Sequence, residues 1–380
     1  MKLKKNTDCR KRLSKSHKVS KTQNEYRKFM SSLWTFPFLL IFFMSLGFSN
    51  GYWVNYGWEI FEHVTDARTA ALGNATTAYQ FGGNSSSLMN PIFSTQGSQK
   101  ITLAHQSRFA GLLNNDLASF QIQRSGKPIQ INLLYEGIGQ IPDTRNMLLD
   151  WGNDGQFGTN DLGEGNGILD EGERLDADQI RFFSQQQIGI HAAFNHSFRQ
   201  MPLGIGIKVL SYILDDHYAL GVGVDFGLMK KIKKTNIGIV IRNLPASGLI
   251  WDNGTVEGTT PLISVGVHQP LELKKIPVKL HSMFNLDIST SNRNLDSQLG
   301  FASFSVDGSF GIEGIYKDKL FVRVGRNSVN NSTGGLGMEW DGFGVDYAFL
   351  APNLGSGFGN HHLISLNVTL DWVKSKLNEK

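Results

Sequence analysis

The chain has 380 residues, of which 42 are Gly, 25 Phe, 10 Pro and one Cys. Its formal charge of +4 belongs to the first fifty residues: eleven Lys/Arg stand there against Asp8 and Glu25, so the remainder carries −5 and offers no basic surface for nucleic acid. Cys9 lies in the same basic stretch, which excludes a disulfide, a thiolate metal site and a cysteine nucleophile from everything after it.

Residues 1–50 read as a secretory signal peptide, with a long basic n-region ending near Lys28 and an apolar core from Leu33 to Phe48. Small residues then permit cleavage before Asn50 or Tyr52, and Met30 offers a second start. The core is about 16 residues long and contains Pro37, so a single membrane anchor is the lesser alternative. No later apolar run is long enough for a transmembrane helix; a chain that crosses a membrane here must do so as strands. Residues 51–98 differ in character. DARTAALGNATTA, from Asp66 to Ala78, is small and helix-permissive, and a Gly/Ser/Asn-rich stretch follows as far as Pro91. The segment reads as an N-terminal hatch, small enough to tuck into a barrel.

From 99 to 372 the pattern has period two. Leu220, Val222, Val224, Phe226 and Leu228 share one face, and Ala219, Gly221, Gly223, Asp225 and Gly227 share the other. Large residues suit lipid, and the small face suits an interior. Ile237, Ile239 and Ile241 repeat the motif, as do Ile263, Val265 and Val267. In the run 361–372, Leu366, Val368, Leu370 and Trp372 oppose Ser365, Asn367, Thr369 and Asp371. The predicted fold class is all-β, a transmembrane antiparallel barrel of about 14 strands in the bacterial outer membrane, with 373–380 as a charged tail. Short inner turns are expected near Gly126, Arg199, Lys233, Lys274, Lys317 and Asp341, and long outer loops at 137–185, 244–261, 289–308 and 351–360. Alternation of long and short connections requires 296–304 to count as loop. A periplasmic β-sandwich is the soluble alternative; regular Lys/Glu solvent faces are largely missing for it.

The loop 137–185 concentrates acid: nine carboxylates lie from Asp150 to Asp178 against one base, Arg174. Oxygen ligands recur as in calcium loops. One register places Asp150, Asp154 and Asp161 around Gly155; a second places Glu164, Asn166, Asp170 and Glu173 around Gly167, with Asp161 near its first position. Ca²⁺ as a structural ion is the expected cofactor, and a solvated acidic loop the alternative. Lys208, Arg242, Glu313, Arg323, Glu339 and Asp346 sit opposite lipid-facing residues, so they line the lumen either as a packed ion-pair network or along a solute path. His361 and His362 point to opposite faces. No G-x-S-x-G, H-E-x-x-H, Walker or Cys/His zinc spacing is present, which argues against an enzyme.

Two regions resemble the PorV/PorQ family of outer-membrane barrels, which is related to the FadL fatty-acid channels. They are DARTAALGNATTA followed by Met89-Asn90-Pro91, and, near the C-terminus, Gly335-Leu336-Gly337-Met338, Asp346-Tyr347-Ala348-Phe349, Leu354-Gly355 and His362-Leu363-Ile364-Ser365-Leu366. Ile92-Phe93 stands where the family has Ala-Gly after Asn-Pro. The resemblance implies a 14-stranded barrel with a hatch, acting without catalysis in protein export or surface attachment of the type IX secretion kind. The alternative it implies is a FadL-like channel for hydrophobic small molecules such as fatty acids. Expected partners are outer-membrane lipid and lipopolysaccharide, with exported proteins or secretion components, or the hydrophobic solute. A protein-handling barrel should keep a filled lumen and present aromatic outer loops, here Leu249, Ile250 and Trp251; a lipid channel should show an apolar pocket continuous from outer loops to lumen.

Overall fold

The computed structural model describes residues 58–95, 100–198, 201–244, 247–272, 277–290, 297–301, 304–352 and 360–378. The signal-peptide reading of 1–50 and the Leu354-Gly355 match lie outside the described residues. In chain order the hatch holds α1 (Ile60–His63), α2 (Ala67–Ala71), α3 (Ser86–Met89) and a 3₁₀ turn at Pro91–Thr95. The strands follow: β1 (Lys100–Arg108), β2 (Leu113–Arg124), β3 (Lys127–Asp143), β4 (Leu148–Leu149), β5 (Arg174–Leu175), β6 (Arg181–Phe198) and β7 (Met201–Leu214). Next come β8 (His217–Ile232), β9 (Thr235–Arg242), β10 (Ser247–Trp251), β11 (Val256–Thr259), β12 (Leu262–Glu272) and β13 (Val278–Ser289). The chain finishes with β14 (Leu299–Phe301), β15 (Phe304–Tyr316), β16 (Leu320–Arg326), β17 (Ser332–Trp340), β18 (Phe343–Ala351), β19 (His361–Thr369) and the helix α4 (Leu370–Asn378).

Fourteen of these strands form a closed antiparallel wall in the order β1-β2-β3-β6-β7-β8-β9-β12-β13-β15-β16-β17-β18-β19. Closure is made by β1 against β19, from Lys100 opposite Thr369 to Ser107 opposite His362. A closed ring leaves no unpaired strand edge, the condition for a sheet to stand in hydrocarbon. The two faces differ as the alternation requires. On β8, Leu220 and Val222 are 58% and 66% exposed on the outside, while Ala219 and Asp225 are buried inside. Outward Ile, Leu, Val and Phe recur around the ring, and the small and polar residues look inward. This is the wall of an outer-membrane β-barrel, apolar towards lipid and polar within.

Three expectations are corrected in detail. The segment 244–261 is not a free loop: β10 and β11 form a hairpin, and β10 continues the wall by pairing with β8, Gly248 opposite Val222. The stave from β9 to β10 is thus one strand interrupted after Arg242, where Asn243 takes a left-handed φ of 57°. Leu249 turns into the interior, Ile250 stays 62% exposed, and Trp251 packs on Tyr212. The last strand stops at Thr369, so Leu370 and Trp372 belong to α4 rather than to the wall. Leu370, Val373 and Leu377 also fit helical spacing, and Asp371 in the first turn complements the helix dipole. Within 296–304 the three-residue β14 pairs with β15 without adding a stave.

Candidate functional site

The described part of the hatch packs against the inward face of the wall, and the wall's inward glycines are where it touches. A Cβ on Gly311 would lie 2.6 Å from the carbonyl oxygen of Leu72, and one on Gly325 would lie 2.8 Å from the Leu72 carbonyl carbon. At Gly335 it would meet the Ala71 Cβ at 2.6 Å. Gly204 faces the Ile92 backbone nitrogen and Gly238 the Thr77 oxygen at closer range still. At these five strands the Gly-rich face is therefore the imprint of the hatch.

Local chemistry fixes the hatch conformation. Asp66 caps α2, its Oδ1 accepting from Thr69 N–H at 2.9 Å. Its Oδ2 accepts from the hydroxyls of Thr69 at 2.8 Å and Ser85 at 2.7 Å, so this buried carboxylate ties two hatch turns together. Asn90, of the Asn-Pro pair, donates from Nδ2 to Thr77 O at 2.9 Å and to Leu228 O on the wall at 3.3 Å.

Three polar clusters join hatch to wall. Arg68 Nη2 meets Glu313 Oε2 at 2.8 Å, and the same oxygen accepts from Tyr79 Oη at 2.5 Å. Arg323 bridges Glu313 Oε1 at 2.7 Å and Asp346 Oδ1 at 2.6 Å, giving two guanidinium groups for two carboxylates. Burial pushes the Tyr79 hydroxyl above its ordinary range, so it remains a donor to Glu313. In the second cluster Arg242 donates to Met89 O at 3.0 Å, Leu88 O at 3.4 Å and Ser264 Oγ at 2.7 Å; the first two are terminal carbonyls of α3. In the third, Lys208 Nζ meets Asp225 at 2.8 Å and Asn243 Oδ1 at 2.6 Å, with Ser247 Oγ donating to the same Asn243 oxygen at 2.9 Å. This third cluster sits at the interruption between β9 and β10. Beside it lie Trp58, Phe61, Leu117, Leu134, Leu210 and Leu249 in one buried apolar cluster.

All six lumen candidates face inward. Lys208, Arg242, Glu313, Arg323 and Asp346 are buried in these clusters; Glu339 lies apart, half-exposed and paired with Lys100 beside a pocket of about 40 Å³. That space admits little more than water. Sequence reasoning missed Arg68, Tyr79 and Asn243. A signal for Arg68 existed, since it is the one Lys or Arg between Trp58 and Thr95. As expected, His361 is buried and His362 exposed.

The acidic loop is closed by the β4–β5 ladder, Leu148 opposite Leu175. Its two registers interleave: Asp150 of the first accepts from the N–H groups of Gly165 at 2.8 Å, Asn166 at 3.3 Å and Gly167 at 2.7 Å in the second. Those bonds, chiefly from Gly167, hold the Asp150 carboxyl below its usual range. Glu173 accepts from Gly152 N–H at 2.8 Å and Asp170 N–H at 2.9 Å, Asp154 from Gln156 N–H at 2.8 Å, and Glu164 from the N–H groups of Gly158 and Asn160. Asp170 accepts from Asn166 Nδ2 at 2.7 Å, and Asp161 Oδ2 from Asp154 N–H at 2.8 Å, leaving Asp161 Oδ1 buried without a partner. Among the described residues no three Asp, Glu, His or Cys groups converge on one point.

The closed wall, apolar outside and polar within, defines the chain as an integral β-barrel of the bacterial outer membrane. No protein-family model and no curated protein matches the sequence. Among solved structures it is similar to the Pseudomonas putida toluene transporter TodX, with TM-score 0.46 and 11% identity, covering 80% of this chain and 96% of that one. It is also similar to a Pseudomonas aeruginosa FadL homologue, with TM-score 0.41 and 9% identity over 80% and 98% of the two chains. For the Acinetobacter baumannii outer-membrane protein Omp33 the values are 0.36 and 7% over 71% and 97%.

Proposed function

We propose that the protein is a non-enzymatic outer-membrane component of protein export or surface attachment, of the PorV/PorQ kind. The observation that carries this reading is the seating of the hatch: its backbone packs on wall glycines and is cross-linked to the wall by buried ion pairs. Such a barrel acts through its outer rim, where the long loops are presented. A FadL-like channel is the second reading, favoured by the apolar cluster of Trp58, Phe61, Leu210 and Leu249 beside the interrupted stave. Purification from native membranes separates the two. Stable co-elution of exported proteins supports the first; stoichiometric fatty acid or other hydrophobe with no protein partner replaces it with the second.

We further propose that the acidic loop takes up Ca²⁺ as a structural ion, with Asp161 supplying the free oxygen. Ligand oxygens would have to leave some of their N–H partners, so binding is expected in the range of extracellular modules, about millimolar to micromolar. Trp151, over which Arg174 stacks at 5.7 Å, gives a fluorescence readout on the intact protein. A Ca²⁺ titration that leaves both this emission and loop proteolysis unchanged removes the proposal.

A further inference from the structure

The lipid-facing wall carries a polar island. His105 on β1 and Asp116 on β2 are direct cross-strand neighbours on the outer face, with Nδ1 and Oδ1 2.8 Å apart and side chains 57% and 52% exposed. Two strands away, His362 Nδ1 and Tyr347 Oη share a hydrogen bond of 2.7 Å, also outside. Ser107 lies between the two pairs, opposite both His362 and Asn114. Ionisable groups on the lipid side of a barrel are unfavourable unless they reach the interface or meet a polar partner. The wall is low here. His105 is three residues below Arg108, where β1 ends, so it sits about 8 Å beneath the outer rim on a tilted strand. That is the boundary between head groups and acyl chains of the outer leaflet.

Directly adjoining the island is a groove of about 670 Å³, hollowed at Ala118 and walled by Leu103, Leu133, Ile188, Ile364 and Leu366. Polar groups and apolar groove together form an amphiphile's outline, head at His105–Asp116 and chain along Ala118. We propose that this face binds one acylated saccharide of the outer leaflet. The choice of head group follows from chemistry. A carboxylate accepts hydroxyl donors, while imidazole, phenol, Ser107 and Asn114 both donate and accept, which is the set that the many hydroxyls of a sugar require. The inference is independent of whether the barrel handles proteins or solutes, since it concerns the outside of the wall.

The test uses intact protein in a zwitterionic detergent, with deep-rough lipopolysaccharide or phosphatidylglycerol added as probe and retention read by native mass spectrometry. Wild type is expected to keep one lipopolysaccharide and to hold phosphatidylglycerol about tenfold less well. Ala118→Phe fills the groove and Asp116→Leu removes the acceptor; each is expected to lower lipopolysaccharide retention about tenfold. Leu336→Phe, on another outward stretch, is expected to change nothing. Heat-modifiable gel migration verifies that each variant is folded. Equal retention in wild type and both groove variants, or equal retention of phosphatidylglycerol, overturns the proposal.

Discussion

Gly238→Val probes the docking of the hatch at one seat. The new Cβ would press on Thr77 O and lie 2.9 Å from the Thr77 carbonyl carbon and 3.0 Å from the Ala78 Cα. None of these is the free end of a flexible side chain, so the hatch backbone must move. Thr77 is held by two bonds, Oγ1 accepting from Asn285 Nδ2 at 2.8 Å and O from Asn90 Nδ2 at 2.9 Å. Whether the cost appears as overpacking or as those two lost bonds, it is about 2 kcal/mol. A penalty of that size raises the undocked population roughly 30-fold. Thr76 is fully buried and its hydroxyl has no partner, so Thr76→Cys in a Cys9→Ser background makes a reporter at small cost. Maleimide labelling is expected to quicken by about that factor with Gly238→Val. Gly139→Val, where the added carbon meets nothing within 4 Å, serves as control. Equal labelling rates in the two backgrounds would refute the docking argument.

Arg323→Met leaves Asp346 and part of Glu313 uncompensated inside the wall; the loss is about 3–5 kcal/mol, seen as a lower temperature for conversion of the compact to the extended gel band. Arg242→Met removes the donors to the α3 carbonyls and is expected to expose 84–93 to protease while β8 and β12 stay protected. The acidic loop has a signed pH dependence. Because the folded Asp150 carboxyl titrates below its ordinary value, its contribution is present above the ordinary carboxylate range and is lost as pH falls through the lowered value. Loop proteolysis should therefore be slow at neutral pH and faster at about pH 3 with an acid protease, and Asp150→Asn should blunt the difference.

The wall was legible because a closed barrel imposes one rule on every stave. Ala219 to Leu228 shows that rule in full, and the expected count of about 14 strands is that of the ring. Staves were misjudged where the rule weakens. β3 and β6 pair with each other beyond the end of β2, as far as Asp143 opposite Arg181, and their register shifts between Ile138 and Ile141, so side chains there no longer alternate cleanly. The β10–β11 hairpin was hidden because Pro245 and Gly248 punctuate it like a loop. At the C-terminus, residues 366–373 satisfy both periods, and the helical one prevails beyond Thr369.

The interior was half legible. Parity alone places Lys208, Arg242, Glu313, Arg323 and Asp346 inside, because a strand offers only two directions. Their partners were not readable, since Arg68 and Tyr79 lie more than two hundred residues from Glu313 in sequence. The glycines were noticed as a small face; that they record a backbone pressed against them is a tertiary fact. In the acidic loop, the sequence shows oxygen donors at cation-binding spacing but not that backbone N–H groups occupy most of them.

The central claim is that residues 58–95 plug the cylinder. Conductance of the purified intact protein across a planar bilayer measures this directly. With the hatch seated, the account predicts a sealed membrane, broken at most by brief openings that Gly238→Val makes more frequent. Steady ohmic current through the wild-type protein would contradict it.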